Sequence, residues 1–208
     1  MPHLLRIDSS ARTHDSHSRD LANAVQSHWL AAHPGGQTAQ RDLSLNPIES
    51  IKNETIIGYY TPEQELTESL RRATALSDTL IAELIQTDVL LLSTPMYNFT
   101  VPAVLKAWID QIMRINKTFG FSKEGDLQGL LKNKTAYITV AIGTQLTGTP
   151  LEAMDYLRPY LKTVLSFIGF EQVEFFSIES TAMDEKQMAV NKENTMREIT
   201  AMFQSAVA

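Results

Sequence analysis

The sequence predicts an α/β sandwich built on a parallel sheet. Five short apolar runs alternate with five stretches of helical period, the pattern that strands joined by crossover helices produce. One run, 88–95 (DVLLLSTP), is apolar without alternation, as a central strand covered on both faces should be. Residues 101–115 place Val101, Val104, Leu105, Trp108, Ile109 and Ile112 at i, i+3, i+4, i+7, i+8 and i+11, one continuous apolar helix face.

The first strand is HLLRID (3–8). SRDLANAVQSHWLAAH (18–33) follows as a helix with Leu21, Ala24, Val25 and His28 on one face. TAQRDL (38–43) reads as a more polar strand, near a sheet edge. A loop runs on through Asn46-Pro47-Ile48, and residues 44–61 read as an excursion. Helical spacing returns over 62–86, with Leu66, Leu70, Ala73, Leu80, Ile81 and Leu84. After the central strand, Pro102 stands in the first turn of the next helix, where a missing N–H costs least. Residues 118–134 break the rhythm with glycines and with Phe119 and Phe121 two positions apart, an extended excursion or hairpin. TAYITVAIG (135–143) is the fourth strand. The helical stretch 151–169 contains Pro159, which should kink or divide it. FEQVEFFSIE (170–179) is the fifth strand and 183–207 a final helix. No repeat or low-complexity block intervenes, so 1–208 reads as a single domain.

Composition narrows the function classes. A hydrophobic fraction of 43% with 20% charged residues is ordinary for a soluble globular chain. A net charge of −6 argues against nucleic acid and anionic membranes as partners. The absence of cysteine excludes disulfides, iron–sulfur ligation, thiolate catalysis and a cysteine-based zinc site. Neither a signal peptide nor a membrane span is visible, and a cytoplasmic location is expected. Asn-x-Thr triplets at Asn53, Asn98, Asn116 and Asn133 are read as chance.

In parallel sheets, ligands bind beyond the carboxyl ends of the strands. Three loops should meet there. The first, DSSARTHDSHSRDLA, has neither a dinucleotide-binding nor a P-loop glycine pattern. It supplies Ser9, Ser10, Thr13, Ser16 and Ser18 before a helix start, which suits a dianionic phosphate; the plainer reading is that Ser16 or Ser18 only caps the helix. His14 and His17 share this loop, but no third ligand at fitting spacing accompanies them, so no metal is expected. His17 is expected to offer its backbone N–H, with the ring exposed. The second loop, Pro95 to Phe99, ends the central strand in Met96, Tyr97, Asn98 and Phe99. These residues either cap the core or wall a flat, partly apolar ligand, with Asn98 reading a heterocycle edge. The third, AIGTQLTGTP, has Gly143 and Gly148 and no charge before Glu152; it is either a close backbone approach to a ligand or a simple turn.

The SS-x5-SxS loop, TPMYNF, and the pieces LLRIDSS, RDL…NPI, ALSDTLIAEL and FIGF together resemble the FMN-dependent NADH azoreductases, also described as NADH:quinone oxidoreductases, of flavodoxin-like fold. The resemblance spans essentially the whole chain. It implies a three-layer sandwich with strand order 2-1-3-4-5. It implies that Ser10, Ser16, His17 and Ser18 hold the FMN phosphate and that Met96, Tyr97, Asn98 and Phe99 line the isoalloxazine. Where the family shows a Ser-Arg-Gly-Gly-like loop, this chain has Ala141, Ile142, Gly143 and Thr144, so the arginine side chain is lost while backbone contacts can survive. Family members are homodimers with active sites at the interface, and Phe121 and Phe167 match aromatics of that pocket. Their plainer reading is core or dimer packing.

The resemblance further implies a two-stage reaction: NADH or NADPH gives a hydride to FMN, and a quinone or azo compound then takes the electrons, with no protein nucleophile or metal. Two other readings are weighed. A flavodoxin-like electron carrier would share fold and FMN without direct NADH turnover. A serine hydrolase would use Ser9 or Ser10 with a histidine and Asp8 or Asp15, but no G-x-S-x-G elbow is present.

Overall fold

A computed structural model describes residues 1–205. Its elements run β1 (His3–Asp8), α1 (His17–Ala32), β2 (Gln37–Asp42), α2 (Asn53–Tyr60), α3 (Glu68–Gln86), β3 (Val89–Pro95), α4 (Ala103–Ile112), β4 (Phe119–Phe121), β5 (Leu127–Gly129), β6 (Lys134–Ala141), α5 (Leu157–Ile168), β7 (Phe170–Ile178) and α6 (Glu185–Ser205). Five strands form one parallel sheet in the order β2-β1-β3-β6-β7, and β4 and β5 form a separate antiparallel hairpin. Counting those hairpin strands turns the expected 2-1-3-4-5 into 2-1-3-6-7; the arrangement in space is the same.

Strand side chains alternate between two faces, and each face has its own core. Leu5, Ile7, Leu90, Leu92, Ile138 and Val140 meet Leu80, Leu84, Leu105, Trp108, Leu161 and Leu165 from α3, α4 and α5. On the other face, Leu4, Leu91, Phe176 and Ile178 meet Leu21, Val25, Trp29, Ile199 and Phe203 from α1 and α6. Helix α1 is turned slightly from its expected face. It buries Leu21, Ala22, Val25 and Trp29, while His28 stacks on Phe203 at 6.0 Å.

Three expectations change. The excursion at 44–61 contains α2, whose Tyr59 hydroxyl donates to Gln111 Oε1 at 2.9 Å while Ser77 Oγ donates to the Gln111 carbonyl at 2.6 Å. The long 62–86 helix starts only at Glu68, where Thr67 caps it by accepting from the Leu70 amide. Of the two outcomes expected at Pro159 the stretch is divided and not kinked, and the break falls ahead of the proline: residues 150–154 are a separate 3-10 turn, and α5 begins at Leu157, which leaves the proline in a first turn where no helical donor is missing. Positions 206 and 207 of the expected last helix lie outside the described residues.

Asn98, Asn116 and Asn133, three of the Asn-x-Thr positions, have φ of 48°, 61° and 56°, so turn geometry accounts for asparagine there. The hairpin β4–β5 crosses the end of α5 closely. Gly169 caps α5 at φ 110°, and a Cβ there would lie 2.1 Å from the Leu131 carbonyl oxygen. Gly169→Ala is expected to destabilise the protein by on the order of 3 kcal/mol in chemical denaturation, through strain and clash together; a loss below about 0.5 kcal/mol would contradict this packing.

Candidate functional site

The loop after β1 is fixed at its root. The Ser9 amide and hydroxyl both donate to the Ser93 carbonyl of β3, at 2.9 and 3.0 Å. Asp15 then takes a left-handed φ of 50°, and Ser16 opens α1. Ser16 makes no capping hydrogen bond; the first helical bond runs from the Asp20 amide to the Ser16 carbonyl, so the amides of 17–19 lack intrahelical acceptors. Ser10, Ser16 and Ser18 are all buried, and the Ser16 and Ser18 hydroxyls lie 3.4 Å apart. From β6, the Thr139 hydroxyl donates to the Ser18 carbonyl at 2.9 Å and seats this first turn on the sheet.

Arg19 ties the loop to the end of β2. Its guanidinium donates to the Arg12 and Ser10 carbonyls and grips Asp42 with two bonds, of 2.5 and 3.1 Å. Burial works against ionised Asp42, but hydrogen bonds from Arg19 and Ser44 outweigh it and hold the carboxyl at about 2. Asp8, fully buried, is engaged by Arg6 and by the Gln40 amide.

The second loop is a tight turn. Tyr97 and Thr100 exchange both backbone hydrogen bonds, at 3.0 and 3.1 Å, and the central residues Asn98 and Phe99 have φ of 48° and 70°. Two positive φ values in succession are those of a type I′ turn, unusual for phenylalanine and therefore held by its surroundings. The Met96 amide donates to the Ala141 carbonyl, and the Tyr156 amide to that of Phe99.

The third loop leans on the end of β7. Thr181 donates from its amide and hydroxyl to the Ile142 carbonyl, Ala182 to that of Gly143 and Ser180 to that of Thr144. Ile142 itself continues the Ala136, Ile138, Val140 face into the core. The amides of Gly143 and Thr144 donate to nothing among the described residues.

These loops enclose a cavity of about 180 Å³ lined by Ser10, Ser16, His17 and Ser18 on one side, with Met96, Tyr97, Ala141 and Gly143 facing them. Arg12, Asp15, Pro95 and Thr181 complete the lining; the first three fall within the expected first and second loops without an assigned role in cofactor binding, and Thr181, after β7, lies outside all three loops. The His17 ring, expected to be exposed, is half-buried instead, and its Nδ1 is shut away without a partner. Asn98 and Phe99 lie at the exposed turn tip and Thr144 further along its loop, outside the cavity lining. Phe121 projects from the hairpin, 59% exposed, whereas Phe167 packs against Phe119 with ring centres 5.0 Å apart. No group of three His, Asp or Glu among the described residues could hold a metal, and no described helix is long and apolar enough to cross a membrane.

An open helix start, buried hydroxyls and a cation suit a phosphate, and the facing backbone and thioether suit a flat ring. A family model described as flavodoxin-like fold matches residues 2–201. An FMN-dependent NADH:quinone oxidoreductase of Xanthobacter autotrophicus is 44% identical over 84% of each chain. Another, of Hydrogenovibrio crunogenus, is 41% identical over 92% of this chain and 94% of its own. An azoreductase structure from Bacillus anthracis shares the fold at TM-score 0.89 and 23% identity, over 99% of this chain and 100% of that one. The chain belongs to the family of flavodoxin-like fold that these FMN-dependent NADH:quinone oxidoreductases represent.

Proposed function

We propose that this chain binds FMN at the carboxyl edge of its sheet and moves two electrons from NADH or NADPH to quinones or aromatic azo compounds, in two successive half-reactions. The observation that carries this is the uncapped start of α1, which opens on a cavity faced by Met96, Tyr97 and Gly143. Relatives at 44% and 41% identity are named FMN-dependent NADH:quinone oxidoreductases.

The residues fit the cofactor. Ser10, Ser16 and Ser18 are 2%, 6% and 0% exposed, and the orphaned His17 Nδ1 lies beside them, so a multivalent acceptor such as phosphate matches this cluster of donors. FMN, when bound, supplies the capacity to accept a hydride and pass on two electrons. The chain's own contribution is placement. Ser10, Ser16, His17 and Ser18, with Arg12, hold the phosphate end. Met96 and Tyr97, with Asn98 and Phe99 at the turn tip beyond the cavity, would flank the ring, and the free amides of Gly143 and, further along, Thr144 would offer hydrogen bonds to its edge.

A second copy of the chain completes the site. About 180 Å³ falls short of the roughly 300–1,000 Å³ of pockets that enclose such ligands. Around the loops stand Tyr97, Phe99 and Tyr156, exposed by 37%, 41% and 61%, an aromatic rim that a homodimer would cover. Phe121 is free to enter such a shared pocket; Phe167 is already committed to Phe119. Serine hydrolysis has no assembled nucleophile: Ser9 donates to a carbonyl, Asp8 is held by Arg6, and no described histidine bonds either serine.

The direct test is the visible spectrum and steady-state turnover of FMN-loaded protein. Bound flavin with quinone-dependent oxidation of NADH is expected; bound flavin without turnover would make the chain an electron carrier, and no retained flavin would exclude both readings. Asn98→Ala should raise the FMN Kd by about ten-fold with the circular dichroism unchanged, since it loses an amide and strains a positive φ. Asn98→Gly, which relieves that strain, should lose less.

The Asp42–Arg19 tie adds a pH signature. A carboxyl depressed from 3.8 to about 2 contributes its full stability above about pH 4 and loses it as pH falls through about 2. Asp42→Asn should therefore melt lower than wild type at pH 7, with the gap closing between about pH 4 and pH 2. A gap unchanged across that range would refute the assignment.

A further inference from the structure

The third loop holds no charged side chain between Ala141 and Glu152 and contains Gly143 and Gly148, so its shape has to be imposed from outside. A single buried carboxylate does much of this. Glu179, 5% exposed at the end of β7, accepts from the Leu146 amide at 2.7 Å, the Thr147 amide at 2.9 Å and the Thr147 hydroxyl at 2.6 Å. Arg158 Nη2 supplies a fourth donor at 3.2 Å. Burial opposes the charge, yet these donors together keep the carboxyl below its ordinary value, so it stays ionised at neutral pH.

The same guanidinium also pairs with Asp155, whose Oδ1 accepts from the Leu157 and Arg158 amides at 3.0 Å each and so fixes the start of α5. One residue further on, the Tyr156 amide holds the Phe99 carbonyl at 3.1 Å. A continuous chain of polar contacts thus runs from Thr147 through Glu179, Arg158 and Asp155 to the 97–100 turn. The cavity walls themselves meet at the Met96 amide and Ala141 carbonyl, and this network joins their continuations, 144–147 and 97–99, which make no direct hydrogen bond among the described residues. A buried ion pair is a poor device for bulk stability, since apolar side chains of similar volume do as well or better. Its advantage is direction: four donors converge on one carboxylate from one loop and one helix.

We propose that Glu179 and Arg158 are positioning residues of the flavin site, holding the 142–147 backbone against the 97–99 turn so that the Gly143 and Thr144 amides face the cofactor. This rests on the FMN reading above. Neither side chain lies in the lining of the cofactor cavity; both act through the loop they brace.

The test titrates flavin-free wild type, Glu179→Gln and Thr147→Val with FMN, and follows thermal melting of each flavin-free protein. Glu179→Gln puts an amide nitrogen where only acceptors fit, and should raise the FMN Kd about ten-fold or more and shift the bound flavin's midpoint potential to more negative values. Thr147→Val removes one donor and keeps the rest, so it carries the test where Glu179→Gln does not fold, and should weaken FMN about three-fold. Variants that melt lower while binding FMN as wild type does would reduce the network to a structural brace and overturn the proposal. A wild type that binds no FMN would overturn both this proposal and the flavin reading; wild-type binding with unaltered variants overturns this one alone.

Discussion

In a parallel sheet the crossover helices start where the strands stop, so the positive helix ends gather along one edge. At β1 that end is left open. Ser16 occupies the cap position without capping, and the neighbouring seryl hydroxyls are buried against the same turn. The surrounding contacts serve this opening. Ser9 pins the loop to β3, Thr139 seats the first helical turn, and Arg19 draws residues 10–12 toward Asp42. Without them a short, hydroxyl-rich loop would satisfy its own amides, as serines at helix starts usually do.

Charge is distributed with the same economy. The chain carries −6 overall, yet the cationic groups Arg12 and Arg19 both stand at this loop. Arg19 is neutralised by Asp42, whereas Arg12 has no carboxylate partner among the described residues. One guanidinium therefore serves as scaffold and the other is available to an anion. On the opposite wall, beside the Met96 and Tyr97 side chains, the polar groups are backbone: the Gly143 and Thr144 amides have no acceptor among the described residues, which suits a ligand read along its edge.

Much of this was legible in the residues. Period-two and period-3.6 patterns gave the five strands and the large helices because nearly every one of them buries a face. Helix α2 escaped because it is eight residues long and leaves Ile56, Ile57 and Tyr60 exposed, so no apolar face stands out; its burial depends on Tyr59 and on Gly58, where a Cβ would press within 2.6 Å of Thr74. At the site, the serine loop and Met96–Tyr97 were readable from type and position. Thr181 was not, because it follows a strand whose end was not counted among the loops. Ile142 shows a signal that was present: the alternation of Ala136, Ile138 and Val140 already pointed its side chain to the core. Neither the left-handed turn at Asn98–Phe99 nor the bracing by Glu179 has a local signature, since both depend on partners far along the chain.

The central claim is that the open start of α1 binds a phosphate, and comparing FMN with riboflavin isolates it. Calorimetric titration of flavin-free protein with each ligand keeps the ring and ribityl chain constant and removes only the phosphate. Three charge-assisted hydrogen bonds at about 1.5 kcal/mol each correspond to a preference for FMN on the order of a thousand-fold. Equal affinity for the two flavins would contradict the account.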